Sequence, residues 1–289
     1  MKRAFSLIEL SIVILIIGIL VAGITQSSRL VSAMRLNSAR ALTQSSPVNS
    51  IKDLTLWLET TSTKSFATGT STFTNVEELD NDTSIGRWND INPQASSKNN
   101  ATKSTSDQAK YTTNAINGLP AVRFNGTNNN FAFDGTVLVN TNYTIFVVEQ
   151  RRSNGSNGWL LIGSASASNT NLHVGYQDDT TMRYTHFNNN LTDTVSAYSS
   201  PAPRLHIFRF DQGSGRQYWR SDDTTNPGAS DAQTALLASY ANSSIGGYGT
   251  DWFNGDIAEI IAFNRALKSE ERQAVESYLS QKFNIKIKY

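Results

Sequence analysis

Glu9 is the one carboxylate in an apolar run, Phe5 to Ile24, and no other residue of the chain sits in so unusual a setting for chemistry. An acid at the centre of a membrane helix costs roughly 2.5–3.5 kcal/mol, so it needs a cationic partner or a shallow position near headgroups. Far downstream, Asp256 and Glu259 lie on an apolar strand, Asp256-Ile257-Ala258-Glu259-Ile260-Ile261. Retaining glycosidases need two carboxylates roughly 5–5.5 Å apart. Residues three apart on a regular strand point to opposite faces, so no catalytic pair is expected here and the chain does not read as an enzyme. Three histidines, His173, His186 and His206, lack both a cysteine and a His-x-His spacing, and are expected at the surface of strands rather than on zinc. Asp178-Asp179 and Asp222-Asp223 fall in loops, where carboxylates suit a hard cation; they keep calcium open as a cofactor, although turn formation uses Asp in the same way. Tyr248, Trp252 and Phe253 share a glycine-rich loop, Gly246 to Gly255. An exposed aromatic face there would stack on a pyranose, making Tyr248 and Trp252 the candidate ligand-binding residues. The competing use of Trp252 and Phe253 is to plug the edge of a sheet.

The elements that position these groups are of two kinds. Phe5 to Ile24 is about 30 Å of helix, long enough to cross a bilayer core. Lys2 and Arg3 precede it and predict a cytoplasmic N-terminus. The helix is expected to continue, with Val31, Met34, Ser38, Ala41 and Leu42 on one face and Arg29 and Arg40 opposite, until Pro47 stops it in the linker Thr43–Ser50. Beyond Ile51 the period changes. Short alternating or apolar runs, among them Leu54–Leu58, Ala121–Phe124, Tyr143–Val148, Leu205–Phe210 and Ile257–Phe263, are separated by Gly, Asn and Asp. Asn125-Gly126 is a turn signal, and a hairpin is expected over Gln177 to Thr180. Many short strands without intervening helices predict an antiparallel sandwich. One late helix follows, with Ser269 as its cap, acids in its first turn, and Ala274, Val275, Tyr278, Leu279 and Phe283 on its apolar face. A net charge of +1 and only 17% charged residues exclude electrostatic capture of nucleic acid. The late lysines Lys282, Lys286 and Lys288 read as a solvated end of the chain.

The order basic leader, Ala4, Phe5, then Ser-Leu-Ile-Glu-Leu resembles the N-terminus of type IV pilins and type II secretion pseudopilins. The resemblance covers only the first 45 or so residues. It implies a cut by prepilin peptidase between Ala4 and Phe5, N-methylation of Phe5, and an assembly role for Glu9, which would meet the Phe5 amine of a neighbouring subunit. Ala4 stands where the family usually has glycine, and with no cysteine the chain lacks the disulfide of many pilin heads. A second resemblance rests on three pieces. They are Trp88-Asn89-Asp90 with Asn99-Asn100-Ala101-Thr102; Asn117-Gly118-Leu119-Pro120-Ala121-Val122-Arg123-Phe124-Asn125-Gly126; and Phe253-Asn254-Gly255-Asp256-Ile257-Ala258-Glu259 leading into Asn264-Arg265-Ala266-Leu267. These resemble bacterial laminin G-like, concanavalin A-like jelly rolls.

The expected organisation is a leader over residues 1–4, a membrane and assembly helix over 5–45, a linker over 46–53, and a mostly β jelly-roll sandwich over 54–289 with one late helix. The implied function is a pilin-like filament subunit, assembled with copies of itself or other pilins and displaying a lectin-like domain toward a glycan or surface protein. It would reside in the inner membrane before assembly and on an extracellular pilus afterwards. The alternatives are a periplasmic pseudopilin and a membrane-anchored binding module.

Overall fold

A computed structural model describes residues 7–68, 74–164 and 167–288. The cleavage-site residues Ala4 and Phe5 lie outside them. Helix α1 spans Leu7–Gln44, 38 residues and about 57 Å at 1.5 Å per residue. Its first two-thirds stand clear of the rest of the chain: Leu7 is 85% exposed and Met34 still 61%. Its last turns dock. Ala39 and Thr43 are buried, with Leu36 and Leu42 packed beside them. The docking face is therefore not the expected one. Val31, Met34, Ser38 and Ala41 face outward, and Arg40 lies on the half-buried side. Its Nε donates to the Thr61 carbonyl at 2.7 Å, and the guanidinium pairs with Glu77. The stretch after the helix is packed rather than loose. Pro47–Asn49 form a single 3-10 turn, and Ser46, Val48 and Ile51 are buried.

The body is an antiparallel two-sheet sandwich. One eight-stranded sheet runs Ala229–Asp231, Gly215–Arg220, Pro203–Asp211, Tyr143–Arg151, Asn254–Phe263, Leu119–Asn125, Lys110–Ile116, with Leu54–Glu59 also paired to Asn254–Phe263. The second, nine-stranded sheet includes Gly158–Ile162, Leu172–Asp178, Thr181–His186 and Asn189–Thr194. Helix α2, Ser269–Phe283, covers the outer face of the first sheet together with the end of α1. The chain is mostly β, with a long apolar helix before the sandwich and a helix after it, as its patterning predicts.

Three layers explain the two strongest apolar runs. Along Tyr143–Arg151, Tyr143, Ile145 and Val147 enter the core between the sheets, whereas Phe146 and Val148 enter a second core under α2. Along Asn254–Phe263, Ile257, Ile260 and Ala262 point inward while Ala258, Ile261 and Phe263 point toward α2. A strand buried on both faces has no polar side to show, so its sequence loses the alternation of a half-buried strand.

The three motif pieces also acquire a structural meaning. The Asp90 carboxylate accepts backbone N–H groups of Trp57, Asn92 and Asn99 at 2.9–3.1 Å, and Asn100 Oδ1 accepts from the Asp90 N–H. The other two pieces pair with each other, Asn254 opposite Asn125 and Asp256 opposite Arg123. Asn117 and Gly118, at φ 49° and 88°, make the tight turn between Ile116 and Leu119. A side chain at Gly118 would collide with the Arg35 guanidinium of α1. The cap of α2 differs from expectation: Ser269 is its first residue, and Glu271 accepts the Lys268 N–H at 3.0 Å while binding Arg265 with both oxygens.

Candidate assembly helix and ligand groove

Glu9 lies on the exposed part of α1 among Leu7, Ile8, Leu10 and Ile12, all at least half exposed. The best window in this helix has a mean hydropathy of 2.9, and none of it is buried. No other helix among the described residues is long and apolar enough to cross a membrane.

Where α1 meets the sandwich, a fully buried ionic cluster forms. Lys282 Nζ donates to Glu259 at 2.7 Å and to Glu59 at 3.0 Å, and all three side chains are inaccessible to solvent. Glu59 also accepts from Thr61, Ser62 and Ser65; Glu259 accepts from the Trp57 indole and the Tyr278 hydroxyl. Tyr278 in turn lies 3.2 Å from Thr43 of α1. Burial opposes the charge on Lys282, but the two carboxylates outweigh it and hold its pKa above the ordinary lysine value. Burial also opposes the charge on Glu59, and Lys282 with the surrounding hydroxyl and amide donors overcomes it, lowering that pKa. Glu259 goes the other way, raised by burial and by the neighbouring Glu59 charge. Lys282 is thus a buried member of α2 and not part of a solvated end.

The same strand corrects a second expectation. The pairing of Asn254–Phe263 shifts between Ile257 and Glu259. This β-bulge adds a residue, so Asp256 and Glu259 fall on one face instead of two. They still do not work together. Asp256 binds Arg123 with both oxygens at 2.7 and 2.9 Å, and Glu259 belongs to Lys282.

The histidines are buried rather than superficial. His186 and His206 are fully inaccessible and His173 is 9% exposed. His186 is 2.6 Å from the Tyr143 hydroxyl and 3.0 Å from the Ala235 carbonyl, and burial pushes its pKa down to about 4. His206 bridges Glu149 and Tyr218, each at 2.9 Å. The Leu172–Asp178 and Thr181–His186 hairpin pairs Tyr176 with Met182, which puts His173 beside Thr185 and His186 beside Leu172, on opposite faces. No group of three or more His, Asp or Glu that could hold a metal gathers among the described residues. Asp178 caps the Thr180 N–H, Asp222 binds Arg204 and Arg220, and Asp223 caps Thr225. Both Asp pairs are therefore spent on turns and arginines, an arrangement that does not fit a calcium site.

Two of the depressions bear on the candidate residues. A cleft of about 670 Å³ runs beside the end of α1, with Arg40, Lys64, Arg87 and Lys98 against Asp90 and Trp57. A smaller groove of about 280 Å³ lies at one edge of the sandwich, between the 153–158 loop and Trp252. Tyr248 and Trp252 sit on a two-stranded ribbon, with Gly247 opposite Trp252 and Tyr248 opposite Asp251. Trp252 lines the groove, half-buried; Tyr248 is 37% exposed, lies outside it, and accepts a long bond from Asn242. Phe253 plugs the core, its ring 6.3 Å from Phe124. At the base of the groove is a residue that motif reading missed, Arg151, stacked 4.2 Å over the Tyr176 ring. The signal for it was present: Arg151 continues the inward parity of Tyr143, Ile145, Val147 and Glu149.

Residues 1–25 match the family model described as the prokaryotic N-terminal methylation motif. The match ends within the exposed apolar part of α1. No curated protein matches the chain by sequence. Among solved structures, Trypanosoma rangeli sialidase is similar at 14% identity and a TM-score of 0.54, over 80% of this chain and 33% of the sialidase. The same sialidase in complex with 2,3-difluorosialic acid gives 12% and 0.53, over 86% and 38%. The Ruminococcus gnavus IT-sialidase CBM40 aligns at 14% identity and 0.44, over 55% of this chain and 96% of that one. The chain spans about a third of the sialidase's length, and at such identity the likeness is one of fold. An N-terminal methylation motif is thus joined to an antiparallel β-sandwich similar in fold to part of a sialidase.

Proposed function

We propose that the protein is a type IV pilin-like filament subunit. Prepilin peptidase cuts between Ala4 and Phe5, Phe5 is N-methylated, and subunits held in the inner membrane assemble through α1 with copies of themselves or other pilins. Glu9 then meets the Phe5 amine of a neighbour, a pair whose strength in low dielectric requires both members. The filament carries the sandwich to the cell surface as an adhesive, non-catalytic domain. The reading is carried by one observation: the methylation motif leads into a helix whose apolar part is wholly exposed, while only its last turns are fastened to the sandwich. The absence of catalysis is supported by the carboxylates, since Asp256 is paired with Arg123 and the buried Glu59 and Glu259 share Lys282.

Mass spectrometry of the N-terminus, in protein sheared from intact cells and in membranes, tests this. N-methylated Phe5 in the sheared fraction is expected. Processed protein confined to membranes would favour a pseudopilin, and intact Met1 in both fractions would leave only a membrane-anchored binding module.

A further inference from the structure

We infer that the groove under Trp252 binds a sugar residue bearing a carboxylate, such as a hexuronate, through Arg151. This concerns the ligand of the domain that the proposed filament displays, and it rests on that reading only for its biological setting. Arg151 is 3% exposed, yet among the described residues no carboxylate forms an ion pair with it. Its Nη1 donates to the Asp179 carbonyl at 3.1 Å and its Nη2 to the Ser196 carbonyl at 3.0 Å, while Nε has no partner. Nearby, Asp179 Oδ1 accepts the Gly155 N–H at 2.7 Å, and Glu149 Oε1 accepts from Tyr176 and lies 2.9 Å from His206, while Glu149 Oε2 is buried without a partner. A buried guanidinium with only neutral acceptors is poorly compensated, and a ligand carboxylate supplies the missing charge with fork-shaped geometry. The rest of the lining suits a sugar better than a bare anion. Trp252 offers an aromatic face, and Ser153, Asn154 and Ser156 offer hydroxyl and amide partners. The volume is at the small end of ligand pockets, enough for one ring.

The test is calorimetric titration of the full chain in detergent with glucuronate, glucose, acetate and inorganic phosphate. Glucuronate is expected to bind more tightly than glucose by about ten- to a hundredfold, the worth of a charge-assisted hydrogen bond. Arg151→Gln should erase that difference, and Trp252→Ala should weaken glucuronate binding. Equal binding of glucuronate and glucose, acetate or phosphate binding as tightly as glucuronate, or no effect of Trp252→Ala would each overturn the assignment. If Arg151→Gln does not fold, the wild-type selectivity and Trp252→Ala still decide. Processing at Phe5, read by mass on the same sample, reports separately on the filament reading.

Discussion

Lys282 is the residue on which the junction between helix and sandwich turns. Removing one member of a buried ionic group leaves uncompensated charge and costs about 3–5 kcal/mol. Lys282→Met leaves Glu59 and Glu259 facing each other, and is expected to lower stability by that amount in chemical denaturation. Adding Glu59→Gln and Glu259→Gln should recover much of the loss; failure to recover would mean that Lys282 acts through packing alone. His186 sets a pH dependence. Burial holds its folded pKa at about 4, below the ordinary histidine value of about 6.5. The unfolded chain therefore binds the extra proton first, and stability present above pH 6.5 falls as pH drops toward 4, by about 3 kcal/mol. Glu59, whose pKa is lowered, loses its contribution in the same direction at lower pH. His186→Gln should reduce, without removing, the slope of melting temperature against pH between 6.5 and 4, because burial also holds His173 and His206 below the ordinary histidine value.

Elements carry the next set of constraints. The turn Asn117-Gly118 serves two purposes at once. It closes the strands Lys110–Ile116 and Leu119–Asn125, and it lets α1 pass close by, with Arg35 over the glycine; Asn117 Nδ2 also donates to the carbonyl of Phe283, at the end of α2, at 2.8 Å. Gly118→Ala places a Cβ at a positive φ and against Arg35, which should cost about 1–2 kcal/mol. Protease cleavage within α1 should rise in that variant if the turn truly seats the helix, and stay unchanged if it does not. The bulge near Ala258 is a device of the same rank. It turns both Asp256 and Glu259 toward the helical layer, so Arg123 and Lys282 can meet them there.

At the scale of the whole molecule, α1 is two helices in function. Among the described residues the apolar two-thirds are exposed, and the last turns are fastened to the sandwich and α2 through Leu36, Ala39 and Thr43. A chain lacking residues 1–30 is accordingly expected to be soluble and to unfold at the same denaturant concentration as the full chain in detergent. A lower midpoint would show that the apolar part supports the sandwich. Glu9→Val should leave folding and cleavage intact while abolishing recovery of subunits in the sheared fraction, because the mutation removes one member of the proposed inter-subunit pair.

Local chemistry was enough for some of this. Hydrophobic period separates the long apolar helix from the strands, residues 1–25 carry the methylation motif, and short alternating runs divided by Gly, Asn and Asp point to a sandwich. Each depends on residues close in the chain, so spacing suffices. The tertiary structure decided what depends on partners far apart in sequence. A single inserted bulge residue reverses which face Glu259 occupies, a change that strand parity cannot register. Lys282 is a buried counter-ion because Glu59, 223 positions away, comes to 3.0 Å from it. His186 and His206 are interior because the two sheets close over them, and Arg151 lines a groove only when Trp252 and the 153–158 loop are folded beside it. Burial and charge compensation belong to the packed chain, and no window of neighbouring residues contains them.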